Sequence, residues 1–382
     1  MAGVGLPPEH EALAEAALQF ARQIIGPVAE TIDREDTFPV AVWKQLAEQG
    51  YTGLGIPEEY GGSGGDVLAA ALVGWALTRA SPAVALSYGA HLNLCAHNLY
   101  RNGNEDQRRR YLPRLARGEW IGALGLTEPN AGSDATGIRA TARREGDVYV
   151  LNGTKMFITN GPVADVVLVY AKTRPDLGQR GISAFIVERT FPGFRVAQTL
   201  DKLGMRGSPT GELVFEDCRV PAENLLGQEN EGLRIMMSGL DMERAFFAWA
   251  GVGIAEEAFE LALRYATQRE QFGRRIGEFQ LIQAKLSDMY TGIQAARLLA
   301  LHALQLVQEG RRASKEAAAA LLFASQVARR ATDEAVQIHG GYGYVRGSVV
   351  ERLFRDAKLM DIGAGTNEIR RTLLARELLG LR

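Results

Sequence analysis

The fold is decided by one stretch of sequence, Ser238-Gly239-Leu240-Asp241-Met242-Glu243-Arg244-Ala245-Phe246-Phe247-Ala248-Trp249-Ala250. Apolar residues recur there at three- and four-residue spacing, which predicts a helix from a cap at Asn230 to about Gln268. Glu243 stands at the head of the apolar run, and burial disfavours the charged form of a carboxylate. Two interpretations stay open: Glu243 pairs with Arg244 at a solvated helix edge, or it is a proton acceptor with a raised pKa.

The patterns on both sides of this helix divide the chain into three parts. Helical periodicity fills about the first 115 residues and returns after Asn230, whereas short β-branched runs bounded by Gly and Pro occupy the middle. We therefore predict an α+β protein with an N-terminal all-α domain (1–119), a middle β domain (120–228) and a C-terminal helical domain (229–382). Strands are predicted at 121–126, 140–144, 148–151, 166–172, 182–188 and 212–220, and the later helices at 278–309, 314–339, 352–360 and 367–379.

Composition argues against several functions. Of the 382 residues 46% are hydrophobic and 23% are charged, and the formal net charge of −2 argues against a nucleic-acid partner. The longest apolar runs, 67–77 and 245–255, are shorter than the roughly 20 residues that a bilayer needs, so no membrane partner is expected. The cysteines and histidines form no metal-binding spacing and no leader pattern opens the chain, which predicts a metal-free cytoplasmic protein.

Two segments of the middle domain are candidates for binding a cofactor. The loop 126–134 follows a short strand and offers hydroxyls and backbone N–H groups, which suit the hydrogen-bonding edge of a cofactor ring or a diphosphate. An ordinary Asx-type turn is the alternative. In segment 152–161, Phe157 and Thr159 are two positions apart and would share one face of a strand. An aromatic face with one hydroxyl is what a flavin needs for stacking and for a hydrogen bond to a ring nitrogen.

Six segments in register over the three domains resemble the acyl-CoA dehydrogenase family: 126–134, 155–161, 201–208, 269–273, 337–343 and 355–371. The resemblance implies a middle β-barrel or sandwich and a C-terminal four-helix bundle. It also implies FAD-dependent α,β-dehydrogenation of an acyl-CoA thioester, in which a carboxylate takes the α-proton and flavin N5 takes the β-hydride. Electron-transferring flavoprotein would reoxidise the flavin. The protein would be a homotetramer, since some cofactor contacts come from a second subunit.

The same resemblance assigns site residues position by position. FAD would be contacted by the chain's own β domain, by residues supplied across a subunit interface, and by the start of the last helix. These are Leu124, Gly125, Leu126, Thr127, Ser133, Phe157, Ile158 and Thr159 for the first group, Arg269, Gln271, Phe272, Gln280, Gln337, Gly340 and Gly341 for the second, and Thr366, Asn367 and Glu368 for the third. The acyl-CoA would be contacted by Ser133, Asp241, Arg244, Ala364 and Gly365.

One position departs from the usual family pattern. Most members carry the catalytic glutamate immediately before the Gly-Thr of the last motif, where this chain has Ala364. A minority branch places the acid on the first helix of the C-terminal domain, and its pattern resembles 239–244 here, which implies that Glu243 is the base. The backbone N–H of Ala364 would still bind the thioester oxygen, and the small residues Gly363 and Ala364 would leave room for a short, branched acyl group.

Three alternatives to this function remain. The first is an acyl-CoA dehydrogenase with another chain-length preference, and the second is a relative that passes its electrons to oxygen. The third is a non-catalytic oligomeric scaffold, against which the intact cofactor motifs argue.

Overall fold

Residues 5–381 are described by a computed structural model, and residues 1–4, on which the leader prediction partly rests, lie outside them. The helices in this range are α1 (Pro8–Phe20), α2 (Ala29–Glu35), α3 (Val40–Glu48), α4 (Val67–Ala80), α5 (Pro82–Gly89), α6 (His97–Asn102), α7 (Glu105–Ala116), α8 (Gly232–Gln268), α9 (Gln280–Gln308), α10 (Ser314–His339), α11 (Gly341–Tyr344), α12 (Val349–Ala357) and α13 (Asn367–Leu379). The strands are β1 (Gly122–Gly125), β2 (Thr141–Glu145), β3 (Val148–Thr159), β4 (Val166–Lys172), β5 (Ile182–Glu188), β6 (Phe194–Thr199), β7 (Thr210–Pro221), β8 (Leu225–Leu226), β9 (Glu270–Gln271) and β10 (Arg274–Arg275). The predicted helix–sheet–helix order is confirmed.

The middle of the chain folds into one mixed sheet with the strand order β6-β7-β3-β2-β4-β5-β8, and β1 pairs in parallel with β4. A single residue pair, Thr141 with Lys172, joins β2 to β4, so the sheet divides there into two halves. Both halves bury apolar side chains in one shared core, for example Leu213 from β7 and Val167 from β4. The sheet thus encloses its own core, as the implied barrel or sandwich requires.

Helix α8 is the centre of the fold. Its 37 residues pack against α9 and α10 and also against α4 of the N-terminal helices. Glycines allow the close approach: a Cβ at Gly251 would lie 3.2 Å from Ala324 of α10, and one at Gly253 would lie 2.9 Å from the Trp75 carbonyl oxygen of α4. The Trp75 indole also donates to Glu256 at 2.8 Å, so α8 ties the two helical parts of the chain together.

The start of α8 differs from the sequence-based prediction. The helix begins at Gly232 after Glu231, and no side chain caps it. Asn230 has a left-handed backbone with a φ of 69°, and its side-chain oxygen accepts a hydrogen bond from the Thr173 hydroxyl at 3.0 Å. The predicted cap is wrong because the side chain of Asn230 binds the β domain and not the amides of the helix.

Among the strands, buried ones were predicted more accurately than exposed ones. Strands β4 and β5 and helices α10 and α13 have the predicted bounds, and the strands among them are buried along almost their whole length. Strand β6 was not predicted. It lies at the edge of the sheet and keeps most of its side chains exposed, so it lacks the apolar run that marks a strand in a sequence.

A junction of three parts of the chain lies beside the segment 201–208. The Arg355 guanidinium of α12 pairs with Asp33 of α2 at 2.7 Å and donates to the Leu203 carbonyl at 3.2 Å. The next residue, Asp356, is buried and accepts from the backbone N–H of Met205 at 2.5 Å. Burial raises the pKa of Asp356 to about 7. The junction therefore joins the N-terminal helices, the β domain and the C-terminal helices.

Gly204 stands at this junction without room for a side chain. A Cβ there would lie 2.6 Å from the Arg355 carbonyl carbon and oxygen. Gly204→Ala is expected to lower the free energy of unfolding by about 1–3 kcal/mol, because backbone atoms must shift to admit the methyl group. Denaturant titration measures this loss. The control is Gly292→Ala in α9, where a Cβ meets only Val327 at 3.4 Å or more and helix propensity improves. Equal stability of the two variants would contradict the prediction.

Three structural observations concern membrane spanning, metal binding and the cysteines. None of the helices between residues 5 and 381 is long and apolar enough to cross a membrane. Over the same range, no group of three His, Cys, Asp or Glu side chains is arranged to hold a metal ion. Cys95 and Cys218 are buried free thiols.

Candidate active site

Glu243 lies on α8 among apolar side chains. Its neighbours Met242 and Phe246 are buried, and the glutamate itself is partly buried. Burial raises the pKa of Glu243 to about 7, and the positive charges of Arg244 and Arg370 offset only part of this rise. A carboxyl group with a pKa near neutrality is suited to general-base catalysis at neutral pH.

Arg244 has partners other than Glu243. Its Nη1 atom donates to the Asp241 carboxylate at 3.1 Å, and its Nε atom donates to the Ala364 carbonyl at 3.4 Å. Asp241 also accepts from the Ser314 hydroxyl at 2.5 Å. The interpretation that Glu243 and Arg244 form a solvated pair is therefore wrong, since the buried guanidinium joins α8 to the loop before α13.

The loop before α13 brings Ala364 to α8, although 120 residues separate it from Arg244. Ala364 has a left-handed φ of 55°, which costs a residue with a Cβ about 1–2 kcal/mol. Gly365 follows with a φ of 88°. The turn packs tightly on the helix, because a Cβ on Gly363 would lie 3.3 Å from the Phe247 ring.

The first residues of α13 differ in their freedom to bind a cofactor. Thr366 caps the helix, and Glu368 is exposed at its start. The Asn367 side chain is buried, accepts from Arg370 at 2.7 Å and donates to Asp361 at 2.8 Å. A cofactor contact by Asn367 would therefore have to come from its backbone.

The segment with the predicted aromatic face ends β3 and contains a bulge. The pairing of β3 with β7 shifts register between Lys155 and Ile158, and Phe157 takes a φ of 61°. Ile158 is buried in the core of the β domain, whereas Phe157 is 63% exposed and Thr159 is partly exposed. A large aromatic side chain held outward beside a hydroxyl fits the planar ring of a flavin.

A buried ion pair supports the adjoining loop. Lys155 is fully buried, and its Nζ atom donates to the Glu128 carboxylate at 2.8 Å and to the Leu126 carbonyl at 3.0 Å. The backbone N–H of Met156 donates to the Thr127 carbonyl at 2.8 Å. Burial lowers the pKa of Lys155 to about 8, and the Glu128 charge opposes that change. Two successive carbonyls of the loop are thus fixed, while Thr127 stays partly exposed.

One strand of the β domain, β4, comes near Glu243. Strand β1, which carries Leu124 and Gly125, pairs with β4 up to Val169. The next residue of β4, Tyr170, has its pKa raised to about 12, mainly by burial and in part by the charge of Glu243. Strand β4, which pairs with the strand that carries Leu124 and Gly125, therefore comes within electrostatic range of Glu243. Ser133 is exposed on the loop that follows β1.

A second group of predicted cofactor residues lies at the far end of α8. Arg269, Gln271, Gly340 and Gly341 line a cavity of about 500 Å³, where the Arg269 guanidinium lies 5.6 Å from the centroid of the Tyr342 ring. Phe272 is 92% exposed, and Gln280 and Gln337 are exposed. The helical rise places this end roughly 40 Å from Glu243 along the axis. Within one chain the two groups therefore do not form a single site.

Comparison with known proteins identifies the class. Residues 7–119, 123–218 and 230–379 match the N-terminal, middle and C-terminal domains of acyl-CoA dehydrogenase, respectively. The chain therefore belongs to the acyl-CoA dehydrogenase family, whose members use FAD, and it is an acyl-CoA dehydrogenase.

Three relatives show which acyl-CoA dehydrogenases this chain is similar to. The mitochondrial isovaleryl-CoA dehydrogenase of Pongo abelii is 46% identical over 97% of this chain and 89% of its own length. The mitochondrial 2-methylacyl-CoA dehydrogenase of Solanum tuberosum is 48% identical over 95% of this chain and 89% of its own. The solved butyryl-CoA dehydrogenase of Megasphaera elsdenii is 41% identical with a TM-score of 0.96, over 98% of this chain and 99% of its own. The predicted fold class is confirmed.

Proposed function

We propose that this chain converts a short, branched acyl-CoA such as isovaleryl-CoA into the 2-enoyl-CoA, with Glu243 as the base. Bound FAD would supply the two-electron acceptor for the hydride that leaves the β-carbon. The Glu243 carboxylate takes the α-proton, and the Ala364 N–H donates to the thioester oxygen, where negative charge develops. The proton ends on Glu243, and a double bond forms between the α- and β-carbons.

The observation that carries the proposal is the contact of the Ala364 turn with α8 at Arg244, the residue next to Glu243. The usual acid position holds an alanine, and the turn is tied to α8 through Arg244, one residue after a glutamate whose pKa is raised to about 7. A loop that keeps its backbone donor but lacks an acid needs a base from a neighbouring element. Glu243 meets that need on grounds of position and pKa.

The residues that would hold FAD support its inclusion. The exposed Phe157 and the partly exposed Thr127 and Thr159 offer a stacking surface and polar groups. The distant cavity beside Arg269 and Gly340 would contact the FAD of another subunit, which supports an oligomer of at least two chains, as in the proposed homotetramer. Exposed apolar side chains near that end, such as Leu281 at 80%, support burial against a second copy.

The acyl group and the electron acceptor are the finer parts of the proposal. Gly363 and Ala364 carry little or no side chain at this turn, which favours a branched acyl group, and two of the relatives are named for branched acyl-CoA substrates. The butyryl-CoA dehydrogenase relative keeps a straight-chain preference open as an alternative. We infer that electron-transferring flavoprotein is the acceptor, with molecular oxygen as the competing hypothesis.

Anaerobic titration of the purified protein with isovaleryl-CoA, butyryl-CoA and a long-chain acyl-CoA tests the proposal. We expect copurified FAD whose absorbance band is bleached most completely by isovaleryl-CoA. Preferential bleaching by butyryl-CoA or the long-chain substrate would contradict the branched preference, and protein without FAD would contradict the reaction. Turnover that needs electron-transferring flavoprotein and does not proceed with oxygen alone supports the inferred acceptor.

The pH dependence of kcat/KM is expected to report the titration of Glu243. The base must be deprotonated to act, so kcat/KM should rise about tenfold per pH unit below pH 7 and level off above it. The positive charges of Arg244 and Arg370 lower the pKa of Glu243 and so offset part of the rise caused by burial. Tyr170 is a further titratable group near Glu243, because the charge of Glu243 raises the pKa of Tyr170. Steady-state rates with isovaleryl-CoA between about pH 5 and pH 9 provide the measurement. A flat profile across pH 7 would argue for a different base.

A further inference from the structure

Arg370 of α13 is a fully buried guanidinium whose hydrogen bonds run to the segment before the helix and to the first residue of the helix. Its Nη1 atom donates to the Met360 carbonyl at 2.8 Å and to the Asn367 side-chain oxygen at 2.7 Å. Its Nη2 atom donates to the Gly363 carbonyl. Burial lowers the pKa of Arg370 to about 10, which still leaves the group charged at neutral pH.

The Gly363 carbonyl and the Ala364 N–H belong to the same peptide group. A charge-assisted hydrogen bond to a carbonyl oxygen polarises the peptide and makes its N–H a stronger donor. The following carbonyl, that of Ala364, accepts from Arg244 at 3.4 Å. Two guanidiniums thus hold the peptide planes on either side of Ala364, whose φ of 55° persists only with such support.

We propose that Arg370 is a positioning residue that holds and polarises the Gly363–Ala364 peptide for donation to the thioester oxygen. This rests on the proposed function, in which the Ala364 N–H is the thioester donor. Arg370 itself touches neither the substrate nor the reacting atoms. Its effect should appear mainly in kcat, because the thioester oxygen is polarised on binding and gains most of its negative charge as the α-proton leaves.

A purely structural role explains the Arg370 contacts less well. In the part of the chain that the structure describes, its buried Nε atom has no hydrogen-bond partner. A buried guanidinium with an unsatisfied N–H is costly, and a well-packed apolar side chain would often serve stability as well or better. Retaining a charge at this place is understandable if the charge acts on the peptide that carries the thioester donor.

The test uses FAD-loaded holoenzyme and crotonyl-CoA labelled with carbon-13 at the thioester carbonyl. Isotope-edited infrared difference spectra measure how far the carbonyl stretch moves to lower wavenumber on binding. Arg370→Lys keeps the charge but not the two-armed donor geometry. The matched control is Arg371→Gln, which removes a charge from the adjacent exposed position.

We expect the wild-type downshift in Arg371→Gln and a smaller one in Arg370→Lys. With isovaleryl-CoA, kcat of Arg370→Lys should fall about 10- to 100-fold with little change in KM, a smaller loss than removing an oxyanion donor outright. An unchanged downshift in Arg370→Lys would overturn the proposal. If that variant yields no holoenzyme, Arg370→Gln is judged by the same two measurements, and failure of both to bind FAD or to fold would overturn the proposal in favour of a structural role.

The outcomes separate this inference from the function on which it rests. A wild-type carbonyl stretch that does not move on binding would contradict the thioester site itself. A wild-type downshift that Arg370→Lys retains would contradict only the role of Arg370. Glu243→Gln tests the base independently, because it should lose turnover while keeping the carbonyl downshift.

Discussion

Glu243→Gln is expected to lower kcat with isovaleryl-CoA by about 10²- to 10⁴-fold, the range that a general base contributes. Glutamine has nearly the same shape and cannot accept the α-proton. Arg244 keeps its bonds to Asp241 and Ala364, so the turn should stay in place. FAD absorbance and acyl-CoA affinity should therefore persist, and stopped-flow reduction of the flavin measures the loss.

The control for this variant is Asp361→Asn, which changes the other acid beside the same loop. Asp361 is paired with Lys358 at 2.9 Å and accepts from Asn367, contacts typical of a structural group. We expect it to retain most of its turnover. If Asp361→Asn abolished flavin reduction and Glu243→Gln did not, the base would have to be reassigned.

Glu243→Gln should also stabilise the protein at high pH. The pKa of Glu243 is about 7 in the folded chain against 4.5 for a free side chain. Since the folded pKa is raised, the protonated form stabilises the fold below pH 4.5, and that stabilisation is lost as the pH rises through 7. Glu243→Gln should be more stable than wild type by up to about 3 kcal/mol at pH 8, and by less than about 1 kcal/mol at pH 5. Denaturant titrations of the apoprotein at the two pH values measure this.

Lys155→Met is expected to destabilise the protein by about 3–5 kcal/mol, the cost of breaking a buried ion pair. Glu128 is only 7% exposed and would keep just the backbone N–H groups of Arg139 and Ala140 as donors. The Leu126 carbonyl would also lose its partner, so the loop beneath the proposed flavin site should loosen and the FAD content should fall. Thermal unfolding and the ratio of flavin to protein absorbance provide the two measurements.

Two further variants separate the ion pair from general damage. Lys155→Met combined with Glu128→Gln should recover part of the lost stability, because no unpaired buried charge remains. Lys172→Met on β4 removes a lysine that is only partly buried and should change stability by about 0.5 kcal/mol or less. An equal loss in the Lys155 and Lys172 variants would show that the pair has no special importance.

Much of the fold could be predicted because local patterns carry it. The spacing of apolar residues predicts helix α8. Strands β4 and β5 are buried along almost their whole length, so they appear in the sequence as nearly unbroken apolar runs. Asparagine is a common helix N-cap, but the side chain of Asn230 instead accepts a hydrogen bond from Thr173 of the β domain. Such contacts between distant elements are invisible to a local pattern.

The site was predictable only in part, for the same physical reason. The approach of Ala364 to Arg244 depends on packing across 120 residues and entered the sequence analysis through resemblance alone. Lys155 and Arg370 were missed because charged residues are normally exposed, and nothing local marks these two as buried. The position of Lys155 two residues before Phe157 was the one available signal, since it places a charge on a strand beside a proposed ligand face.

The junction at Arg355 affects how the protein unfolds. Its pair with Asp33 links residues 322 positions apart, so nearly the whole chain lies between two ends of one contact. The first helices cannot detach without also breaking the bonds of Arg206 to the Asp33 carbonyl and of the Gly207 N–H to the Asp36 carboxylate. We expect a single cooperative unfolding transition and little proteolytic release of separate domains. Stable fragments from limited digestion would show that the three parts fold as independent units.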